Sequence, residues 1–279
     1  MFEIIEKKQL NKTVTLMEVV APYVAKKVKP GQFIILRVNE KGERIPLTVF
    51  DFNREKGTIK IIFQIVGATT KLLNELKKGD KIHDVAGPLG KASNLDGIKK
   101  VAVIGGGVGC AIAYPTAKYL HEQNSIVHSI VGFRTKELII LKDQFEKISD
   151  RFILTTDDGS EGDKGLVTNS LEKLILAGEN YDRVIAIGPL IMMKYVCLLT
   201  KKYNIKTIVS MNPIMIDGTG MCGGCRITYD NRICFACVEG PDFDGHLIDF
   251  DEAIKRNLMY KDLEKKALEK TCNLLKGDS

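Results

Sequence analysis

The chain has no tryptophan and only 4 histidines, and aromatic residues make up 7% of its 279 residues. The histidines are scattered, so their spacing does not match that of a histidine-based metal site. No apolar stretch approaches the roughly 20 residues that a membrane-spanning helix needs. The N-terminus lacks a basic segment followed by an apolar run, which a secretory signal peptide would show. These absences lead us to expect a cytoplasmic protein with no membrane partner.

A strong charge of either sign is also missing. The formal net charge is +6, from 41 basic and 35 acidic residues, and the lysines are dispersed along the chain. Such dispersion favours a solvated, lysine-rich surface over a docking face for an acidic partner. No compact run mixes basic with aromatic residues, so we expect no nucleic-acid partner.

The composition that is present is ordinary for a globular protein, with 44% apolar and 27% charged residues. A chain of this length exceeds one small core and suggests two domains with an appendage. The first hundred residues contain short β-branched runs at 13–19, 33–38 and 58–65, separated by turn signals. Short strands at near-regular spacing predict an antiparallel barrel or sandwich, with one helix near 70–76.

From about residue 99 the pattern changes to an alternation of strands and helices. Strand-like apolar segments lie at 101–104, 127–131, 152–154, 184–187 and 207–209. Helical segments between them lie at 111–120, 169–176 and 190–201. This alternation predicts an open parallel α/β sheet. We therefore predict four regions: a β-barrel at 1–97, an α/β domain at 98–210, a cysteine-containing segment at 211–250 and a helical tail at 251–279, with one amphipathic helix over 252–275.

Two glycine turns follow buried strands of the predicted sheet, at 105–109 and at 188–189. A backbone without side chains can approach a pyrophosphate and offer its amides at the positive end of a helix. The dinucleotide fingerprint would need glycine at position 110, where Cys110 stands, so the first turn by itself also fits a simple tight connection. Because such sheets bind ligands at the carboxyl ends of their strands, the two turns together predict a ligand-binding edge.

Four of the seven cysteines lie between positions 222 and 237 in a glycine-rich segment, which favours metal binding in a reducing compartment over disulfides. The spacing Cys222-x2-Cys225-x8-Cys234-x2-Cys237 fits a structural zinc site. Counted from Asp217, the spacing Asp217-x4-Cys222-x2-Cys225-x11-Cys237 is the plant-type [2Fe–2S] arrangement with aspartate in the first cysteine's place. A carboxylate can ligate iron, although it is a harder donor than a thiolate. On spacing alone both hypotheses remain open.

These segments, in this order, resemble the ferredoxin reductase superfamily, in which a flavin-binding barrel precedes a nicotinamide-binding α/β domain. The barrel motifs lie at 29–33, 44–48, 66–70 and 86–90, and the α/β-domain motifs at 105–109 and 187–189. The segments 217–226, 237–241 and 243–246 are similar to those of the electron-transfer subunits of dihydroorotate dehydrogenase. Within that family they are most similar to the subgroup of small subunits of NADH-dependent ferredoxin:NADP oxidoreductases, also called sulfide dehydrogenases.

The resemblance implies that the barrel binds FAD. Relatives hold it with an Arg-Pro-x-Ser/Thr segment, whose arginine place is taken here by Ile45, with Arg44 one residue earlier. Gln64 stands where relatives often have arginine, and a neutral amide binds phosphate less strongly than a guanidinium. The expected FAD contacts are Arg44, Ile45, Pro46, Leu47, Thr48, Ile62, Phe63, Gln64, Thr69 and Thr70.

The same resemblance implies that NAD(H) binds to the α/β domain. Asp157 follows a strand and either reaches the nicotinamide or ribose or belongs to a solvated acidic loop. Arg134 would suit the 2′-phosphate of NADP(H), whereas the subgroup pattern favours NAD(H). The expected contacts are Gly105, Gly106, Gly107 and Gly109 at the pyrophosphate, Asp157, and Gly188 and Pro189 at the nicotinamide ring.

For the metal, the resemblance favours the cluster. The context of Cys237, which Val238, Glu239, Gly240 and Pro241 follow, matches the last cluster ligand of the relatives. The implied ligands of a [2Fe–2S] cluster are Asp217, Cys222, Cys225 and Cys237. Cys234, on a hairpin centred on 230–231, is then spare. A zinc-stabilised, non-redox binding module is the remote alternative.

Together these cofactors imply an electron-transfer subunit. Nicotinamide exchanges two electrons as hydride, a cluster passes one at a time, and FAD connects the two. Nothing in the sequence resembles a pocket for a terminal substrate, so the cluster is expected to face a partner. The subgroup implies a larger flavin and iron–sulfur subunit that binds NADP(H) and ferredoxin, in a heterodimer that performs electron bifurcation. The alternative is a dihydroorotate dehydrogenase or sulfur-reducing partner; the dihydroorotate-type relatives carry cysteine at the position of Asp217.

Overall fold

The computed structural model describes the backbone of residues 1–277 and the side chains of residues 1–270. Its first part is a seven-stranded sheet in which all pairings are antiparallel, in the order β6-β1-β2-β5-β4-β3-β7. Its elements are β1 (Phe2–Asn11), β2 (Val14–Val20), α1 (Pro22–Lys27), β3 (Phe33–Arg37), β4 (Arg44–Asn53), β5 (Thr58–Gln64), α2 (Ala68–Glu75), β6 (Lys81–Ile82) and β7 (Asp84–Leu89).

The sheet surrounds a core of its own, and alternate side chains of its strands point into that core. On β5, Ile59, Ile61 and Phe63 are buried inside the barrel, whereas Ile62 lies in a different core that it shares with the α/β domain. That alternation is the two-residue period of a strand with both faces covered. The predicted antiparallel barrel is confirmed.

A second seven-stranded sheet follows, in the order β11-β10-β9-β8-β12-β13-β16. Its elements before the cysteine-containing segment are β8 (Lys100–Gly106), α3 (Gly109–Glu122), β9 (Ile126–Phe133), α4 (Lys142–Ile148), β10 (Arg151–Thr156), β11 (Asp163–Lys164), α5 (Val167–Leu176), β12 (Arg183–Ile187), α6 (Leu190–Lys202) and β13 (Thr207–Ser210). The predicted α/β sheet is therefore confirmed.

Helices cover both faces of this sheet. Residues of α3 and α4 share one core with its strands, and residues of α5 and α6 share the other. Strands covered on both faces are expected to be continuously apolar, and Val101, Ala102, Val103 and Ile104 of β8 are all fully buried. The predicted boundary at 97/98 falls in the connection between β7 and β8.

The cysteine-containing segment forms a small hairpin and then joins the second sheet. Its elements are β14 (Arg226–Tyr229), β15 (Arg232–Phe235), α7 (Ala236–Glu239) and β16 (Asp242–Asp244). Asp230 and Asn231 connect β14 to β15 with φ values of 49° and 59°, as a type I′ turn requires. Strand β16 pairs antiparallel with β13, so the sheet is parallel except for this edge strand.

The tail contains two helices where the sequence predicted one over 252–275. The helix α8 (Phe250–Leu258) ends before Met259, and α9 (Lys261–Gly277) follows. Phe250 and Ala253 anchor α8 in the core, whereas nearly all described side chains of α9 are exposed, so the apolar face does not continue. The helix α9 lies against α2 of the same chain. Among the described residues, no helix is long and apolar enough to cross a membrane.

Candidate cofactor and metal sites

The expected FAD contacts on β4 are divided between the two faces of the barrel wall. Ile45 and Leu47 pack against the barrel core. Pro46 and Thr48 alternate with them and therefore lie on the outer face. Arg44, at the start of β4, is exposed. The pKa of Asp84 is lowered mainly by its hydrogen bond with Arg37, and the Arg44 charge adds to this effect.

The expected contacts on β5 are divided in the same way. Phe63 is buried in the barrel core, whereas Ile62 faces the α/β domain. Gln64, the last residue of β5, is half-buried and pairs with Val14 of β2. By alternation Gln64 lies on the same outer face as Ile62, so these two side chains belong to the crevice between the domains.

The hydroxyl groups of Thr69 and Thr70 already have partners within the chain. Thr70 Oγ1 accepts hydrogen bonds from the amides of Val66 and Gly67, both 3.0 Å long, and donates to the Gly67 carbonyl. Thr69 Oγ1 donates to the Glu43 carboxylate over 3.1 Å. Thr70 therefore shapes the turn that begins α2. The remaining donors for a pyrophosphate are backbone amides at the N-terminus of α2.

The two glycine turns lie side by side because β8 and β12 are neighbours in the sheet. A Cβ added to Gly188 would lie 3.1 Å from the Cα and N of Gly106. A Cβ added to Gly109 would lie 2.5 Å from the carbonyl oxygen of Ile187. Close packing of one turn on the other thus accounts for these three glycines. Gly107 differs, because its φ is +54° and nothing lies within 4 Å of an added Cβ, so it leaves open space beside the turn.

Asp157 lies at the same edge of the sheet. It directly follows β10, it is exposed, and its amide donates to the carbonyl of Phe133 at the end of β9 over 3.0 Å. Arg134 follows β9 and is also exposed. The structure thus brings Asp157, Arg134 and both glycine turns to the carboxyl ends of four adjacent strands, where open α/β sheets bind their ligands.

The hairpin brings Cys225 and Cys237 together. Cys225 precedes β14 and Cys237 follows β15, and the Ala236 amide donates to the Cys225 carbonyl over 3.1 Å. Both thiols are buried, with their sulfurs 3.2 Å apart. A disulfide would need about 2.05 Å, whereas two sulfurs at about 2.3 Å from one tetrahedral metal would be about 3.8 Å apart. Burial, followed by the hydrogen bond with the Cys225 thiol, raises the pKa of Cys237.

Asp217 and Cys222 form a second pair in the preceding loop. The Asp217 carboxylate accepts hydrogen bonds from the amides of Thr219, over 3.0 Å, and Cys222, over 2.9 Å. The Thr219 amide is the main reason that the pKa of Asp217 is lowered, so the carboxylate is ionised. Cys222 is exposed. The Asp217 charge also raises the pKa of Cys237.

Cys234 is oriented toward a different group. Its thiol is buried and hydrogen-bonds to Glu239, and this contact, after burial, raises its pKa. Among the residues whose side chains are described, no three Cys, His, Asp or Glu side chains converge as one metal ion would require. Cys225 pairs with Cys237 rather than with Cys234. Two pairs of donors, Asp217 with Cys222 and Cys225 with Cys237, fit a cluster of two irons.

Two glycines that the sequence analysis did not single out position this loop. Gly218 has a φ of +76°, and a Cβ there would lie 2.6 Å from Leu89 and 3.0 Å from Ile35, both on the barrel. Gly220 has a φ of +88°, and a Cβ there would lie 2.8 Å from Val238, the residue after Cys237. Only the glycine content of the segment could have indicated these roles, because the contacting residues are distant in sequence.

Two family models match the chain. Residues 1–93 match an oxidoreductase FAD-binding domain, and residues 212–249 match the iron–sulfur cluster binding domain of dihydroorotate dehydrogenase B. Together with the two-domain fold and the paired ligands, these matches define an oxidoreductase with a flavin domain and an iron–sulfur domain.

Two relatives and one solved structure match nearly the whole chain. A dihydroorotate dehydrogenase B electron transfer subunit homolog of Thermotoga maritima is 45% identical, covering 96% of this chain and 94% of that protein. An uncharacterized protein of Clostridium beijerinckii is 47% identical, covering 96% and 93%. A chain from the structure of an NADH-dependent reduced ferredoxin-NADP oxidoreductase, reported for its insights into flavin-based electron bifurcation, is 44% identical with a TM-score of 0.91, covering 96% of each chain. The protein belongs to the family of dihydroorotate dehydrogenase B electron-transfer subunits and their homologues.

Proposed function

We propose that this chain passes electrons between NAD(H), FAD and a [2Fe–2S] cluster, and exchanges them with a larger flavin and iron–sulfur subunit in the cytoplasm. The complex is an NADH-dependent ferredoxin:NADP oxidoreductase that bifurcates electrons, and ferredoxin and NADP(H) bind to the larger subunit. The similarity to the solved oxidoreductase chain supports this assignment.

The observation that carries the proposal is the position of the cluster loop on the barrel. Gly218 of this loop packs against Ile35 of β3, and Ile35 is paired with Pro46 of β4, an expected flavin contact. Adjacent strands lie about 4.8 Å apart. The expected flavin surface and the cluster ligands are therefore neighbours on one face of the barrel, which suits electron transfer between them.

The residues of the chain then have distinct tasks. Pro46, Thr48 and the α2 N-terminus hold FAD, which connects hydride chemistry to one-electron transfer when bound. The turns at 105–109 and 188–189, with Asp157, position the nicotinamide nucleotide. Asp217, Cys222, Cys225 and Cys237 hold the cluster.

Two observations indicate where electrons leave the chain. Cys222 is the exposed ligand, and the adjacent Met221 is 90% exposed. An exposed methionine beside a ligand suits a contact with another protein, because its flexible apolar side chain adapts to partner surfaces. The partner subunit therefore docks over this loop.

A visible spectrum of the anaerobically purified chain tests the proposal. Flavin bands and a broad iron–sulfur absorption should both be present, and NADH should bleach both faster than NADPH does. A colourless protein that contains zinc would refute it. Co-purification from native cells identifies the partner. A subunit that binds dihydroorotate or reduces sulfur would favour the alternative complex. The Thermotoga maritima relative, a dihydroorotate dehydrogenase B electron transfer subunit homolog by name, supports that alternative.

A further inference from the structure

A cavity of about 320 Å³ lies at the end of the second sheet opposite to the glycine turns. It is lined by the connector 91–95, by the strands β12, β13 and β16, and by the hairpin β14–β15. Arg183, the first residue of β12, lines the cavity, whereas Gly188 follows the last residue of the same strand. The cavity is thus separate from the proposed nucleotide site. Its volume is at the lower end of that of small-molecule pockets.

Four cationic side chains line this cavity: Lys91, Arg183, Lys206 and Arg232. Each comes from a different part of the fold, namely the connector, β12, the residue before β13, and β15. Among the described residues none of the four forms an ion pair with a carboxylate within 4.0 Å.

The carboxylates in the cavity wall are held by other donors. Glu239 accepts the Phe235 amide over 2.7 Å, and Asp244 accepts the His246 amide over 3.0 Å. Asp242 accepts the hydroxyl of Ser93. The hydrogen bond with the Phe235 amide, and after it the Lys91 and Arg232 charges, lower the pKa of Glu239, but neither cation forms an ion pair with it.

Arg183 carries the strongest evidence for a ligand. One of its terminal nitrogens, Nη1, donates to the Asn94 carbonyl over 2.7 Å and so fixes the guanidinium. Guanidinium groups bind oxyanions through charge-assisted hydrogen bonds, so the fixed position of Arg183 in the cavity wall suits an anionic ligand.

We propose that this cavity binds a small oxyanion, a phosphate or a carboxylate, beside the guanidinium group of Arg183. Lys206, Lys91 and Arg232 supply the surrounding positive charge. Ile185, Ile208 and Tyr229 line the same cavity and accommodate the apolar body of a compact ligand. The bound anion links the connector to the hairpin that carries Cys234, and so couples the barrel to the cluster segment.

Thermal unfolding and calorimetric titration of the complete, cofactor-loaded chain test this proposal. Saturating NAD⁺ is included so that the nucleotide site cannot bind the probe. The probes are inorganic phosphate and malonate, compared with chloride at equal ionic strength. A greater effect of phosphate identifies a phosphoryl ligand, and a greater effect of malonate identifies a carboxylate; either result supports the site.

Three variants test whether the probe binds in the cavity. Arg183→Gln should weaken probe binding roughly tenfold or more, as expected for the loss of a charge-assisted hydrogen bond. Lys206→Gln removes a cavity charge without removing the bond to Asn94, and should weaken binding severalfold even if the first variant folds poorly. Lys202→Gln, an exposed lysine on α6, should leave it unchanged. The proposal is overturned if neither probe binds more tightly than chloride, or if Lys206→Gln and Lys202→Gln bind the probe equally.

Discussion

Ile35 of β3 and Pro46 of β4 lie directly opposite each other in the barrel register, so their side chains share the outer face of the wall. Ile35 packs in the core that contains Cys225 and Cys237, and not in the barrel core. Pro46 belongs to the expected flavin-binding strand. In the proposed function this register places the flavin strand beside the cluster segment, and the contact of Gly218 with the barrel sets how far the cluster loop lies from it.

Gly218→Ala should separate flavin binding from cluster reduction. A Cβ at this position would lie 2.6 Å from Leu89, so the cluster loop must move away from the barrel. We expect the flavin absorption to stay, while the rate of cluster reduction by NADH falls at least tenfold in stopped-flow measurements. Gly97→Ala is the control, since Gly97 has a similar φ of +71° with nothing within 4 Å. Equal rates in the two variants would show that the loop contact does not matter.

Cys237→Ser and Cys234→Ser form a matched pair, because both thiols are buried in the same segment. Cys237 lies beside Cys225, whereas Cys234 hydrogen-bonds to Glu239. We expect Cys237→Ser to lose most of its iron and its visible iron–sulfur absorption, and Cys234→Ser to keep both. Iron analysis and circular dichroism in the visible range measure the difference. Loss of the cluster in Cys234→Ser alone would reverse the ligand assignment.

The Asp217 assignment has its own test. Asp217→Ala removes the proposed ligand and also three hydrogen bonds of the loop, so the iron content should fall. Asp217→Cys should retain a cluster with a changed reduction potential, because thiolate is a softer donor than carboxylate. Asp217→Asn controls for the loop, since an amide oxygen can still accept a hydrogen bond. If Asp217→Ala kept the spectrum and potential of the original chain, Asp217 would not be a ligand.

The elements that could be predicted from the sequence are those with a strong local pattern. The runs at 58–65 and 101–104 are β-branched and apolar because both faces of those strands are covered. The expected cluster ligands follow from local spacing, and the hairpin β14–β15 between Cys225 and Cys237 brings these two thiols together.

Other elements carried no local signal. The strand β1 contains four charged residues, β4 contains Pro46, and β7 contains Pro88; each departs from the pattern of a regular strand. The edge strand β16 has only three residues and depends on pairing with β13. The Arg183 cavity joins residues from position 91 to position 244, which no local pattern can relate.

Gly188→Ala tests whether the second glycine turn is needed for packing as well as for the nucleotide. The added methyl would press on Gly106, and overpacking of this kind costs about 1–3 kcal/mol of unfolding free energy. We expect lower stability in urea and a raised KM for NADH. Gly67→Ala meets open space at an ordinary φ of −146°, so it should lose only the preference of an N-cap for glycine over alanine and be more stable than Gly188→Ala. A Gly188→Ala variant as stable as the original chain would contradict the packing explanation.

Met221→Glu tests the proposed docking position of the partner subunit. Met221 is 90% exposed next to Cys222, and a carboxylate placed in an apolar contact loses its hydration without gaining a partner. We expect the chain to keep its flavin and cluster and to reduce a small dye with NADH at the original rate. Its co-purification with the partner should fall severalfold. Leu176→Glu introduces the same charge at a residue that is 71% exposed on α5 and should leave the complex intact. Equal recovery of the partner with both variants would place the docking surface elsewhere on the molecule.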